Sequence, residues 1–372
     1  MSIIEKIDEY VIYENPLPQL RSRHGAFPGI TQLLSGEIIA LFVIGEAFES
    51  VDSNVFVSRS KDSGKTWQLQ GPLYDRSKLD LGFAVSDSLK STLLSDGTLV
   101  AIGYRFHRRN PDLPVGNAEG GLLSGDDIVS FSTDDGKTWT IPKVIQHGYP
   151  ELLETSGPCI ELHSGDLMAT SCPCFMWDGT NPTGQVGILL RSSDRGLTWD
   201  TSKHYFTTRV KNISSWESRL CEMQDGRIVV IFWAYDHIAK KHLPNYVSVS
   251  HDDGDTWSDP INTGHMGQAS NLMWLGGDKL LTVHAHRVGD IGLYVRLIDF
   301  AEDKWKMVEE NVIWDGGKIS GNKGKTIIEQ WASIKFGQPS LLGLDNGEIL
   351  ATHWCFEDCQ GKILTHRLRI NL

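Results

Sequence analysis

Short runs of alternating or continuous apolar residues recur along the chain, each closed by a turn that carries glycine. Asn54-Val-Phe-Val-Ser-Arg59 alternates apolar and polar positions, and Tyr246-Val-Ser-Val249 follows the same period. Runs of this length and period predict β-strands. A second phrase, Leu-x-x-Gly followed by apolar positions, spans Leu33–Ile39, Leu94–Val100 and Leu162–Met168. Variants occupy Met223–Val229, Leu275–Leu281 and Leu344–Leu350, with Asp278 in the glycine position of the fifth copy. Copies separated by roughly 50–70 residues predict one four-stranded sheet per repeat. The phrase is then the turn between the two inner strands.

Four octapeptides of the form Ser-x-Asp-x-Gly-x-Thr-Trp punctuate the same repeats: Ser60–Trp67, Ser132–Trp139, Ser192–Trp199 and Ser250–Trp257. Each predicts a hairpin between the two outer strands. Its Asp accepts hydrogen bonds from the turn backbone, its Gly takes positive φ, and its Trp pins the turn. The fifth repeat carries a degenerate version, Asp299–Trp305, and the sixth ends in the strand-like Ile363–Ile370. The N-terminal Glu9–Tyr13 alternates like a strand and is expected to complete that sixth sheet, closing a ring and removing exposed edges. Polar insertions at 106–126, 174–186 and 235–245 are expected to be loops.

These octapeptides resemble the Asp boxes of the sialidase (BNR-repeat) superfamily. The resemblance implies an all-β, six-bladed β-propeller with four-stranded antiparallel blades, here expected as one domain over residues 1–372. It also implies a site in the central funnel, at the mouth of the inner strands.

Composition narrows the partners. The 372 residues are 40% hydrophobic, enough for a sizeable core, and the net charge is −12. An acidic chain argues against nucleic acid and anionic membranes as partners. The start has no basic segment followed by an apolar one, and no apolar run is long enough to span a bilayer, so a cytoplasmic protein is expected. The six cysteines (Cys159, Cys172, Cys174, Cys221, Cys355 and Cys359) lack a paired metal or disulfide spacing and read as buried free thiols. No cofactor is expected.

The segments flanking each inner turn collect polar groups and aromatics, the composition of a sugar site. Glu217, in Trp216-Glu217-Ser-Arg219, is the first candidate. Its segment resembles the one in which sialidases carry the Glu that activates a Tyr nucleophile. Glu49 falls where the family's acid/base Asp lies upstream of the first Asp box, with Asp52 as its neighbour. Substrate contacts are expected from His24, Arg23, Lys90, Arg105 and Arg219. Gln268, His286, Arg287, Gln338 and His353 are expected to add to them, with Trp233 and Trp354 as stacking faces.

Two family features do not recur. Gly25-Ala-Phe-Pro28 stands where the first arginine of the substrate-carboxylate clamp belongs, and Phe336-Gly-Gln338-Pro-Ser340 stands where the sixth blade would supply the Tyr. The reading is therefore an exo-glycoside hydrolase acting on a small-molecule or oligosaccharide substrate other than a sialoside. Two alternatives stay open: a non-catalytic propeller that binds a glycan or protein, and a uronic-acid lyase using His24 or His286 as base. His284-Ala-His286 has a spacing that metals use, but ligand hydrogen bonding is the expected role.

Overall fold

The computed structural model describes residues 2–207, 212–316, 333–357 and 359–372. Its strands form six antiparallel sheets, five of four strands and one of five, arranged as the blades of a propeller. Helix among the described residues is limited to single 3-10 turns at Arg76–Lys78 and Ala301–Asp303. None is long and apolar enough to cross a membrane.

Blade 1 shows the plan. Its strands His24–Gln32, Ile38–Gly45, Asn54–Ser60 and Gln68–Pro72 pair in sequence order. The Leu33 turn joins the first two and the Ser60 box joins the last two, as the repeats predict. Second strands are sandwiched between neighbouring blades, and Ile38–Gly45 and Ile228–Asp236 are buried at every position. Burial on both faces explains why they read as continuous apolar runs. Each blade interface has its own core. Ile38, Ala40 and Phe42 of blade 1 meet Leu350 and Trp354 of blade 6, and Val229 and Ile231 of blade 4 meet Leu280 of blade 5. The larger aliphatic and Phe side chains among these contribute roughly 1.5–3 kcal/mol each on burial.

The ring closes through both ends of the chain. Ile4–Tyr13 pairs antiparallel with Gln360–Ile370, Ile4 opposite Ile370 and Tyr13 opposite Ile363, so the N-terminal strand is the outer strand of blade 6. Blade 4 departs from the plan. A short fifth strand, Lys241–His242, pairs with Tyr235–Asp236, so the 235–245 insertion is partly sheet. The 106–126 insertion is shorter as a loop, because its flanking strands run to Arg108 and resume at Gly125.

The Asp boxes work as their residues predict. Asp62 Oδ1 accepts from the Thr66 N–H at 2.8 Å, its Oδ2 accepts from Thr66 Oγ1 at 2.6 Å, and Ser60 Oγ donates to it at 2.8 Å. The Trp67 indole N–H donates to Gly64 O at 3.0 Å. The box also receives the neighbouring blade. Arg59 of blade 1 donates to Asp135 O in the second box at 2.6 Å. Arg191 of blade 3 donates to Asp253 O in the fourth at 2.7 Å, and Arg367 of blade 6 reaches Ser63 O in the first. The boxes thus staple blade to blade.

The inner strands are bulged where they meet the funnel. Register shifts fall between Ala26 and Gly29 in blade 1, Trp216 and Arg219 in blade 4, and Gly337 and Ser340 in blade 6. Each bulge holds a non-glycine residue at positive φ: Phe27 at 56°, Glu217 at 46° and Gln338 at 40°. Bulges re-aim side chains. Left-handed backbone at such residues costs on the order of 1–2 kcal/mol each, which the packed blades must offset.

All six cysteines are unbonded. Cys159, Cys172 and Cys355 are buried, whereas Cys359 is exposed, because the turn that carries it stands outside the sheet.

A candidate carboxylate site in the funnel

The three bulged residues converge. Phe27, Glu217 and Gln338 line one cavity of about 940 Å³, open mouth included, together with Glu49, Glu154, Tyr104 and Arg287. Glu49 comes from the loop after Ile38–Gly45 in blade 1 and Glu217 from blade 4. Three blades apart in a ring of six, the two approach from opposite walls.

Glu217 is held through two contacts. Its backbone N–H donates to Glu154 Oε2 at 2.7 Å, and its Oε1 accepts from Gln338 Nε2 at 2.9 Å. The orientation of that amide is fixed from behind: Lys90 Nζ donates to Gln338 Oε1 at 2.9 Å and to Ser156 O at 2.6 Å. With Lys90 charged, its ammonium has only donors, so the amide oxygen faces Lys90 and the NH₂ faces Glu217. Glu217 Oε2 has no hydrogen-bond partner among the described residues. It is buried and unpaired, on the same carboxyl group whose other oxygen Gln338 holds.

Burial sets the electrostatics. It pushes the Glu49 carboxyl up to about 7, against the opposing charge of Arg108. Burial, and then the charge of Glu217, raises Glu154. Lys90 is pushed down to about 7 by burial and by Arg219. The Tyr104 hydroxyl is raised well above its ordinary range by burial and by the neighbouring charges of Glu49, Glu154 and Glu217. Arg287 is fixed by Nε donating to Phe336 O at 2.8 Å and by its own N–H donating to Gln268 Oε1 at 2.7 Å. Gly337 lets it lie there, since a Cβ at that position would overlap the guanidinium.

Of the residues expected from the sequence, Glu217, Glu49, Trp233, Arg287 and Gln338 line the cavity. Lys90, Arg219 and Gln268 lie in the layer behind it: Lys90 and Gln268 hold lining groups, and Arg219 donates to Ser156 Oγ at 3.1 Å. Trp354 packs beneath Phe27 and Phe48, with ring centroids 5.9 and 5.0 Å away.

The others are engaged elsewhere. Asp52 is exposed and accepts from the Glu46 N–H at 3.0 Å, capping its own loop. Arg105 is buried against Asp87 at 2.9 Å within blade 2. His24 Nδ1 accepts from the Gly361 N–H at 2.9 Å and its ring packs on Phe356. His286 Nδ1 bonds Asp290 O at 2.6 Å, Arg23 lies over Phe56, and His353 stacks on His366 inside blade 6. None of these six borders the cavity. His24 and His286 therefore offer no base to a lyase reaction there. Among the described residues no cluster of His, Cys, Asp or Glu has the makings of a metal centre.

Glu154 and Tyr104 fall in the segments flanking the inner turns, where the sequence places the site, but the sequence assigned neither a role. Glu154 precedes the inner turn of blade 3 as Glu217 precedes that of blade 4, and this equivalence was the available signal. The apolar lining was also missed. Phe48, Phe106, Leu122, Leu152, Phe175 and Ile334 form much of the wall. Leu122 and Phe175 belong to two insertions that interlock, the Leu122 N–H donating to Phe175 O at 2.9 Å.

The sequence matches the BNR repeat-like domain over residues 19–260. Comparison with the curated proteins found no match. Among solved structures, a Dyadobacter fermentans protein of unknown function superposes with a TM-score of 0.75 at 22% identity, covering 100% of both chains. A Hadza microbial sialidase gives 0.65 at 17% identity, over 96% of this chain and 68% of that one. An alpha-L-arabinanase of Penicillium chrysogenum, solved with arabinobiose, gives 0.64 at 14% identity, over 98% and 99%. At these identities the likeness is one of fold.

Proposed function

This chain belongs to the BNR repeat-like family, within the sialidase-like superfamily, and we propose that it is an exo-acting glycoside hydrolase whose site is the central funnel. The observation that carries the reading is the pair Glu49 and Glu217. Two carboxyl groups face one cavity from opposite walls, one of them kept protonated to about pH 7 by burial. Glycosidic cleavage needs this division of labour. Glu49 donates its proton to the glycosidic oxygen as the bond to the anomeric carbon breaks. Glu217 Oε2 attacks that carbon, or takes the proton from the water that does. After direct attack, water deprotonated by Glu49 hydrolyses the glycosyl ester of Glu217, which restores both carboxyl groups. After attack by water, Glu217 passes the proton to solvent and Glu49 takes one from solvent. One water is consumed either way.

Arg287 is the one guanidinium on the cavity wall among the described residues, against three carboxyl groups. Among the described residues a three-arginine clamp for a substrate carboxylate has no counterpart, which favours a neutral sugar. Tyr104, Arg287 and Glu154 supply hydrogen bonds for its hydroxyls.

The test is hydrolysis of nitrophenyl glycosides spanning neutral sugars, a sialoside and uronides, with the anomer of the first product read by NMR. Turnover of a neutral glycoside is expected. Inversion assigns Glu217 to activating water and retention assigns it to direct attack. Release from the sialoside alone, or from none of the panel, contradicts the reading.

A further inference from the structure

The cavity is divided by chemistry. Glu154, Glu217, Gln338 and Arg287 gather on the side of blades 3 to 6. Glu49 has a different setting. It borders both the main cavity and a smaller adjoining recess, and the four other residues that border both are Phe27, Phe48, Tyr104 and Phe106. The candidate general acid thus shares its part of the main cavity with four aromatic side chains, while Ser53, Ser86, Asp87 and Ser88 line the adjoining recess. Leu122 and Leu152 continue this wall, both packed with Phe106, and Phe175 is joined to it through Leu122.

A wall of this kind is wrong for a second sugar. Aliphatic and Phe side chains offer no hydrogen bond, and each hydroxyl buried without a partner costs about 1–3 kcal/mol. An apolar ring gains roughly 25 cal/mol for each Å² it removes from water there.

We propose that the group leaving from the sugar is apolar and planar: the substrate is a glycoside of an aromatic alcohol, with its ring held in the collar of Phe48, Phe106, Leu122 and Phe175. This deepens the hydrolase reading and rests on it for the placement of the sugar. A general acid stands beside the oxygen it protonates. With Glu49 inside the aromatic wall, that oxygen lies at its edge and the group bonded to it projects inward. The apolar wall also favours the protonated form of the Glu49 carboxyl.

The experiment separates the two readings by using the leaving group alone. Methylumbelliferone, with no sugar attached, is titrated into the full chain by calorimetry, in parallel with Phe48→Ser and Leu122→Ser. Both positions are only partly buried, and the melting temperature of each variant shows whether it is folded. Saturable binding to wild type, weakened about tenfold or more in both folded variants, is the expected result. Absence of saturable binding to wild type overturns the inference, and so does binding of equal strength in both variants. Binding as expected, with no glycoside of any kind hydrolysed, preserves the aromatic subsite and removes the hydrolase.

Discussion

The backbone N–H of Glu217 donates to Oε2 of Glu154 at 2.7 Å, tying a carboxyl group of blade 3 to the bulged residue of blade 4 whose carboxylate is the proposed nucleophile or base. The contact acts on position, since the acceptor reaches the main chain at the bulge. Glu154→Gln keeps an oxygen acceptor there, whereas Glu154→Ala removes it. Turnover is expected to fall about tenfold in the first and about 100-fold in the second. Kinetics of the two variants, with melting curves to establish folding, check the order. Equal losses would mean that the charge of Glu154, and not its anchoring, is what counts.

Lys90 acts one step further back. Lys90→Met keeps length and apolar stem but leaves the Gln338 oxygen without its donor, so the amide is free to turn. The expected result is a kcat lower by about tenfold with KM nearly unchanged. A rise in KM alone would place Lys90 in substrate binding.

Glu49 fixes the pH dependence. As the proposed general acid it must be protonated, so activity is expected to fall as pH rises through about 7. The same group affects stability. Its folded value lies above the ordinary 4.5, so the folded state is favoured fully below that pH and loses stability as pH rises from 4.5 through about 7. Glu49→Gln removes the titration. It is expected to abolish turnover while gaining about 1–3 kcal/mol over wild type above pH 7. Denaturant melts at pH 5 and pH 8 measure the difference, and an equal gap at both would contradict the assignment.

The blade staples make a separate prediction. Arg59 bridges Glu37 at 2.8 Å and the second Asp box. Arg59→Ala is expected to cost about 1–3 kcal/mol of stability with kcat unchanged at low temperature, since it lies far from the funnel in the architecture. Chemical denaturation and initial rates test the two halves.

The propeller was legible in the sequence because its determinants are local: the turn phrase, the Asp box and the alternating strands each lie within a few consecutive residues. Ring closure by Glu9–Tyr13 followed from the missing strand of blade 6. The cavity lining was legible at Glu217 and Glu49, where a segment resembled the family, and at Trp233, Arg287 and Gln338, which flank inner turns. Arg105 and His286 were misplaced because neighbours on a strand point to opposite faces. Tyr104 faces the cavity while Arg105 turns into its blade. Asp52 lies three residues from Glu49, yet the loop turns it to solvent. The bulges at Phe27, Glu217 and Gln338 left no signal, because none of these residues favours positive φ. The apolar collar depends on two insertions that meet only in the folded chain.

The most direct test of the central assignment is the rate of Glu217→Gln on whichever glycoside wild type cleaves fastest. The substitution is nearly isosteric and retains an oxygen able to accept from Gln338. A loss of about 10³-fold or more in kcat, with an unchanged melting temperature, is the predicted result. A folded Glu217→Gln protein that turns over at the wild-type rate would contradict the account and move the chemistry out of the pair formed by Glu217 and Glu49.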